Sequence, residues 1–222
     1  MKKIIVLLAL IALFATGAFA QISFSAGGGA LFDWSFRNGY KFEDSWGIFD
    51  DLDGFGLYDY QGLQIMSFGG FGFFDAKYAE ADIHLAYGNV RSKWKYDGDS
   101  GTFKAGHALQ LGISALGKFP ISLKGPITIF PLLGVDYNMV LAAWDPDGNK
   151  DEEKTIKWYS QFGFLAGAGL DFNLTNRLFL RGEALLHLRL PMKAWKDSEI
   201  IPGVTATLGM GPRIKAGVGF RF

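Results

Sequence analysis

Residues 204–222 read VTATLGMGPRIKAGVGFRF, and this stretch decides the fold. Val204, Ala206, Leu208, Met210, Pro212, Ile214, Ala216, Val218, Phe220 and Phe222 fall on one face of an extended strand. Thr205, Thr207, Gly209, Gly211, Arg213, Lys215, Gly217, Gly219 and Arg221 fall on the other. Strand side chains alternate between faces, so one face is apolar throughout and the other is small or cationic. A strand in a water-soluble core needs only about 5 or 6 residues. A run this long, ending on an aromatic, fits a strand whose apolar face meets lipid and whose polar face lines a closed barrel.

Seven upstream segments repeat the pattern. Segment 22–36 sets Ile22, Phe24, Ala30, Phe32, Trp34 and Phe36 against Ser25, Leu31, Asp33 and Ser35. Segment 64–75 is rich in Gly and Phe and its facing is ambiguous, with Met66, Phe68 and Phe74 favouring lipid. In 79–88, Ile83, Leu85 and Tyr87 oppose Glu80, Asp82 and His84. In 105–115, His107, Leu109, Leu111 and Ile113 oppose Ala108, Gln110 and Ser114. In 127–139, Ile129, Pro131, Leu133 and Val135 oppose Phe130, Asp136 and Asn138. In 157–172, Phe162, Phe164, Leu170 and Phe172 oppose Gln161, Leu165 and Asp171, and in 178–190 a run of leucines opposes Arg181, Glu183, His187 and Arg189. With the terminal strand this makes eight, an even number suited to an antiparallel bacterial barrel.

The amino-terminal end has the layout of a cleavable secretory signal. Lys2 and Lys3 precede an apolar run, 4–14, and small residues end at Ala18-Phe19-Ala20. The run is shorter than the roughly 20 residues of a spanning helix. We therefore expect a signal peptide at 1–20 and a barrel domain at 21–222. No Cys follows the small residues, so no lipid-anchored amino terminus is expected.

Composition narrows the class further. Without Lys2 and Lys3, 20 basic residues face 22 acidic ones, so the mature chain has no electrostatic reason to seek nucleic acid. The chain has no Cys, which removes disulfides and thiolate metal sites. It has 30 Gly and 21 Phe, a mixture that fills a narrow interior with small residues and presents aromatics to lipid.

The connections alternate in length. Those at 37–63, 91–103, 145–155 and 191–203 are long and polar. Those around Ala76-Lys77 and at 173–176 are tight, and the one at 118–125 is intermediate. Long outer loops and short periplasmic turns place both termini in the periplasm. Trp34, Trp94, Trp144, Trp158 and Trp195 fall at loop ends and Trp46 within the first loop, so the indoles gather on one side as interfacial anchors.

In these features the chain resembles the small eight-stranded outer-membrane barrels of the OmpA transmembrane, OmpX and OmpW type. The resemblance covers essentially all of the mature sequence. Its most specific element is Ala216-Gly217-Val218-Gly219-Phe220-Arg221-Phe222, which is similar to the carboxy-terminal signal read by the outer-membrane assembly machinery, with Phe220 and Phe222 as its aromatic positions. The resemblance implies an all-β, eight-stranded antiparallel up-and-down transmembrane β-barrel in the bacterial outer membrane. It also implies secretion, periplasmic chaperoning, contact with outer-membrane lipids and a monomeric state. It leaves activity open, because such barrels include adhesins, structural anchors, narrow channels and lipid enzymes. With no segment after Phe222, the peptidoglycan-binding role of longer relatives is not expected.

The interior assignments carry charge of both signs. Asp33, Glu80, Asp82, Asp136 and Glu183 share the lumen with Arg181, Arg189, Arg213 and Lys215, with His84 and His187 among them. An eight-stranded lumen is about wide enough to be filled by side chains. Two readings stand: an ion-pair network that plugs the barrel, or a gated ion path through Arg181, Glu183, Arg213 and Lys215.

Other candidates read more plainly. His107 faces lipid near an outer strand end, where a lipid-modifying enzyme places a base. No Ser shares its strand face and Ser92 points the other way, so an interfacial histidine is expected and no catalytic residue is assigned. The glycines at 163–169 and 209–219 lie inside alternating strands with no helix following, which excludes a phosphate loop. Residues 145–151 (DPDGNKD) space oxygen ligands as a calcium loop does. Lys150 stands where that motif needs Gly and Ile156 where it needs Glu, so a solvated hairpin tip is expected, as it is for Asp97-Gly98-Asp99. No metal or cofactor is assigned.

The first loop interleaves Phe42, Trp46, Phe49, Phe55 and Tyr58 with acidic residues. It either packs over the mouth or on the leaflet, or binds an extracellular ligand or host surface. Pro131 and Pro212 each remove a ladder donor, marking either a bulge or a weak seam. The expected role is a non-enzymatic structural or surface-interaction protein. The alternatives are a narrow channel or OmpW-like conduit for small apolar molecules, and a lipid-modifying barrel enzyme.

Overall fold

A computed structural model describes residues 23–38, 59–96, 99–150, 160–190 and 209–222. The expected signal peptide, the aromatic residues Phe42, Trp46, Phe49, Phe55 and Tyr58, Trp158, Trp195 and residues 204–208 of the terminal stretch lie outside the described residues. Among those described, nine strands form: β1 (Phe24–Asn38), β2 (Asp59–Ala76), β3 (Ala79–Tyr96), β4 (Asp99–Lys118), β5 (Ile121–Ser122), β6 (Ile127–Trp144), β7 (Gln161–Asn173), β8 (Leu178–Leu190) and β9 (Gly209–Arg221).

Eight of these close into an antiparallel barrel. Sequence neighbours pair around the ring, β1 pairs with β9, and β4 pairs with β6. The two-residue β5 continues the position of β4 along the start of β6, with Ile121 opposite Ile129. Closure leaves no long unpaired edge.

The barrel is apolar outside and ionic inside. Leu133 is 65% exposed and Phe68 61%, and both point outward with Ile83, Leu85, Ile113, Leu186 and Ile214. Arg213 and His187, at 0%, are completely buried in the interior. This inversion follows from alternation on a closed sheet, and it is stable only where the surroundings of the outer face are lipid. In strand 64–75, whose facing sequence leaves ambiguous, Ile65, Ser67, Phe71, Phe73 and Asp75 are buried inward.

Strand lengths correct the expected loops. About 9–11 tilted residues cross a bilayer, but β3 has 18 residues and β4 has 20. Their ladder continues through Arg91↔Lys104 to Tyr96↔Asp99, so most of the expected loop at 91–103 is a hairpin standing beyond the apolar band. The β1–β2 ladder likewise reaches Asn38↔Gly62, shortening the expected connection at 37–63. Polar residues look like loop in the sequence, yet a ladder in water needs no apolar face. Lys118, expected in a connection, ends β4 and is buried.

The prolines do not bulge. Pro131 keeps register with Ala168 and Pro212 with Leu186. Beside Pro212 the β1–β9 ladder runs from Asp33↔Arg213 directly to Phe36↔Met210 without a register shift, so two pairs lapse there. The bulges lie elsewhere: Gln61 is the extra residue opposite Lys93/Trp94, Ala105 opposite Val90/Arg91, and Leu141 opposite Leu109/Gln110.

The expected hairpin tip is present at Asp145. Its Oδ1 accepts from the backbone amides of Asn149 at 2.8 Å and Asp147 at 3.0 Å, and its Oδ2 accepts from Asn149 Nδ2 at 2.9 Å. Gly148 has φ +92°, which only Gly takes without strain, and Trp144 bridges to Lys150 across the turn. The carboxylate thus caps its own loop as an Asx turn.

Candidate functional site

Alternation puts Asp33 and Ser35 (β1), Asp75 (β2), Glu80, Asp82 and His84 (β3), Ser114 and Lys118 (β4), Asp136 (β6), Asp171 (β7), Arg181, Glu183, His187 and Arg189 (β8), and Arg213 and Lys215 (β9) in the lumen. They are arranged in tiers along the barrel axis.

The lowest tier is organised by Arg181. Its Nε and Nη2 donate to Asp171 at 2.8 and 2.9 Å, its Nη2 also donates to Asp75 at 2.7 Å, and its Nη1 donates to Glu80 at 2.7 Å. In the ring, β3 is the strand opposite β8, so the Arg181–Glu80 bond spans the lumen. The guanidinium also lies 4.3 Å from the Phe73 ring centroid, 5.1 Å from Phe179 and 5.2 Å from Phe130. A planar cation with five donors suits both the carboxylate fork and the aromatic faces. Lys118 bonds Asp75 in the same tier and sits 4.0 Å over Phe130.

In the middle tier, Lys215 Nζ donates to Asp82 Oδ2 at 2.6 Å and lies 3.1 Å from Glu183 Oε2. In the upper tier, Arg213 donates through Nε to Asp33 and through Nη2 to Asp136, each at 2.8 Å, and Arg189 Nη2 donates to Asp33 at 2.8 Å. His84 Nδ1 lies 3.4 Å from Asp82 Oδ1, and His187 Nδ1 lies 3.7 Å from Asp33 Oδ1. Above this, Asn138 donates to Gln110 at 2.8 Å. Ile65, Val90, Ala108, Val140 and Ala143 then pack as an apolar cluster beside a cavity of about 40 Å³.

Below the lowest tier the lumen opens into a polar vestibule of about 360 Å³ lined by Ser25, Lys77, Lys118, Asp171, Asn173 and Arg221. Arg221 spans its rim, 3.7 Å from Asp171.

Each of the nine sequence-assigned lumen charges is buried and within pairing distance of an opposite charge. Sequence reasoning missed Asp75, Lys118 and Asp171. Alternation alone places Asp171 inward, so that signal was present; Asp75 lay in the ambiguous strand and Lys118 in an apparent connection. His107 stacks on Tyr87 at 5.4 Å on the outer face. At the chain end, Phe220 and Phe222 project outward and touch edge to face, with ring centroids 5.8 Å apart.

No protein-family model matches the chain, and no curated protein matches it. Among solved structures it is similar to the outer membrane protein OprG from Pseudomonas aeruginosa. That match has 14% identity, covers 90% of this chain and 96% of that one, and has a TM-score of 0.48. It is also similar to Neisserial surface protein A (11% identity, 90% and 97% covered, TM-score 0.46). A third is Ail of Yersinia pestis (13% identity, 91% and 99% covered, TM-score 0.40). Identities and scores this low tie the chain to no individual relative.

Proposed function

We propose that this chain is a bacterial outer-membrane barrel with a plugged lumen, acting as a structural or surface-interaction protein without catalytic chemistry. The observation that carries the reading is the pair of buried arginines. Arg181 reaches Glu80 on the opposite wall, and Arg213 joins Asp33 beside it to Asp136 across the lumen. Buried charges held by several partners are costly to separate, and an open path requires their separation. In this reading recognition falls to the connections beyond the strands, above all the one carrying Phe42, Trp46, Phe49, Phe55 and Tyr58. Phe220 and Phe222 serve as the assembly signal.

A second reading, a conduit for small apolar molecules, draws support from the lapse in the β1–β9 ladder at Pro212 and from the apolar cluster around Ile65 and Val90. Liposome swelling separates the two. Phosphatidylcholine liposomes carrying the refolded protein should admit small neutral solutes no faster than empty liposomes. Solute-dependent swelling would favour the conduit.

A further inference from the structure

The β4 bulge turns a cation outward. Val90 pairs with Gly106 and Arg91 with Lys104, so Ala105 is extra, and Gly106 takes φ +142°. Simple alternation from the outward His107 would turn Lys104 to the inner face. The extra residue sets it on the outer face, directly opposite Arg91. Lys93 follows on the same face, its Nζ 5.9 Å from the Phe36 ring centroid. All three are exposed.

Like charges directly opposite each other in an antiparallel ladder destabilise the pair. Among the described residues, none of the three cations has a carboxylate within ion-pair distance. Asp59 and Asp99 lie farther toward the tip, in register with Lys95 and Tyr96. Among the described residues, the three cations thus present an unpartnered cationic face suited to an anion.

Position identifies its source. One register step below, about 7 Å along the strand, Asn89 pairs with His107. The His107 ring stacks on Tyr87, whose ring centroid is 6.1 Å from that of Trp144. Such an aromatic layer marks the depth at which hydrocarbon gives way to headgroups. The headgroup layer beyond it is about 5–7 Å thick, which is where Arg91 and Lys104 project, away from the barrel axis; Lys93, one register step farther out, reaches back to it, its Nζ near Phe36, which shares a row with Arg91 through Gln64.

We propose that Arg91, Lys93 and Lys104 bind the phosphates of a phosphorylated lipid headgroup in the leaflet surrounding this end of the barrel. Tyr87, His107 and Trp144 lie against the first part of the lipid's acyl chains. The proposal rests on the membrane placement given above. Guanidinium and ammonium groups on one face supply the charge-assisted donors that phosphate oxygens take.

The test titrates the refolded protein in maltoside micelles with purified bisphosphorylated lipid A and with dephosphorylated lipid A. Native mass spectrometry reads binding, and heat-dependent gel migration reads folding. The wild type should bind lipid A, and Arg91→Gln/Lys93→Gln/Lys104→Gln should weaken binding by about a hundredfold, from three interfacial cations lost. Dephosphorylated lipid should bind as weakly to the wild type. Lys104→Gln alone, expected to weaken binding about fivefold, covers the case in which the triple variant does not fold. Equal binding by wild type and variants, or of the two lipids, overturns the proposal. So does tighter binding of soluble heparin than of lipid A. A wild type that shows no heat-dependent migration overturns the membrane placement itself, and this proposal with it.

Discussion

Arg213 and Asp33 are register partners on adjacent strands, and the guanidinium Nε lies 2.8 Å from the carboxylate. The same guanidinium reaches Asp136 on β6 at 2.8 Å, so one side chain ties the β1–β9 seam to the far wall. Removing it leaves two carboxylates in a dry interior. Arg213→Leu is expected to lower unfolding stability by about 3–5 kcal/mol, measured by denaturant titration in lipid vesicles. Adding Asp136→Asn should recover much of the loss, because Asp33 keeps Arg189 as its partner and no uncompensated charge then remains. An Arg213→Leu variant as stable as wild type would show that the network contributes nothing to stability.

Arg181 tests geometry rather than charge. It serves three carboxylates while lying among Phe73, Phe130 and Phe179. A lysine keeps the charge but loses the planar fork. Arg181→Lys is therefore expected to cost about 1–3 kcal/mol, read in the same titration. A neutral result would reduce Arg181 to a point charge.

Two glycines on adjacent strands should respond oppositely to the same methyl group. A Cβ on Gly211 would stand 1.7 Å from the carbonyl oxygen of Trp34, so the β1–β9 backbones must separate. A Cβ on Gly182 meets nothing within 4 Å. Gly211→Ala should destabilise by about 1–3 kcal/mol, and Gly182→Ala should stay within about 0.5 kcal/mol of wild type. Equal effects would contradict the described closeness of the seam.

The Asp145 tip makes a pH prediction. The Asn149 side chain and backbone amides that bond its carboxylate hold its titration below the ordinary 3.8. A group with a lowered folded value stabilises the turn above its unfolded value and loses that effect as pH falls through the folded one. Carboxyl-carbon NMR should place the midpoint below 3.8, with the Asn149 amide shift following it. A midpoint at or above 3.8 would mean that the cap does not persist in solution.

Facing was legible in the sequence because alternation is a local property. Leu186 and Arg189, three residues apart, must point to opposite faces of β8 wherever the strand lies. Strand ends were not legible: Arg91 and Lys104 look like loop because a ladder in water loses the apolar face that marks a strand. The bulges at Gln61, Ala105 and Leu141 left no mark that composition distinguishes from ordinary strand. The partners across the lumen were hidden for another reason. Alternation says that Arg181 and Glu80 both point inward, but their equal height on opposite walls depends on the stagger of eight strands. Asp75 and Lys118 were missed for the two local reasons together, an ambiguous face and an unclear end.

The central claim, that the ionic tiers close the lumen, is tested most directly by single-channel recording of the refolded protein in a planar bilayer. Arg181→Ala/Arg213→Ala is recorded in parallel, and folding is verified for both. The account predicts no steady current from the wild type. A stable, reproducible conductance from the wild type would contradict it.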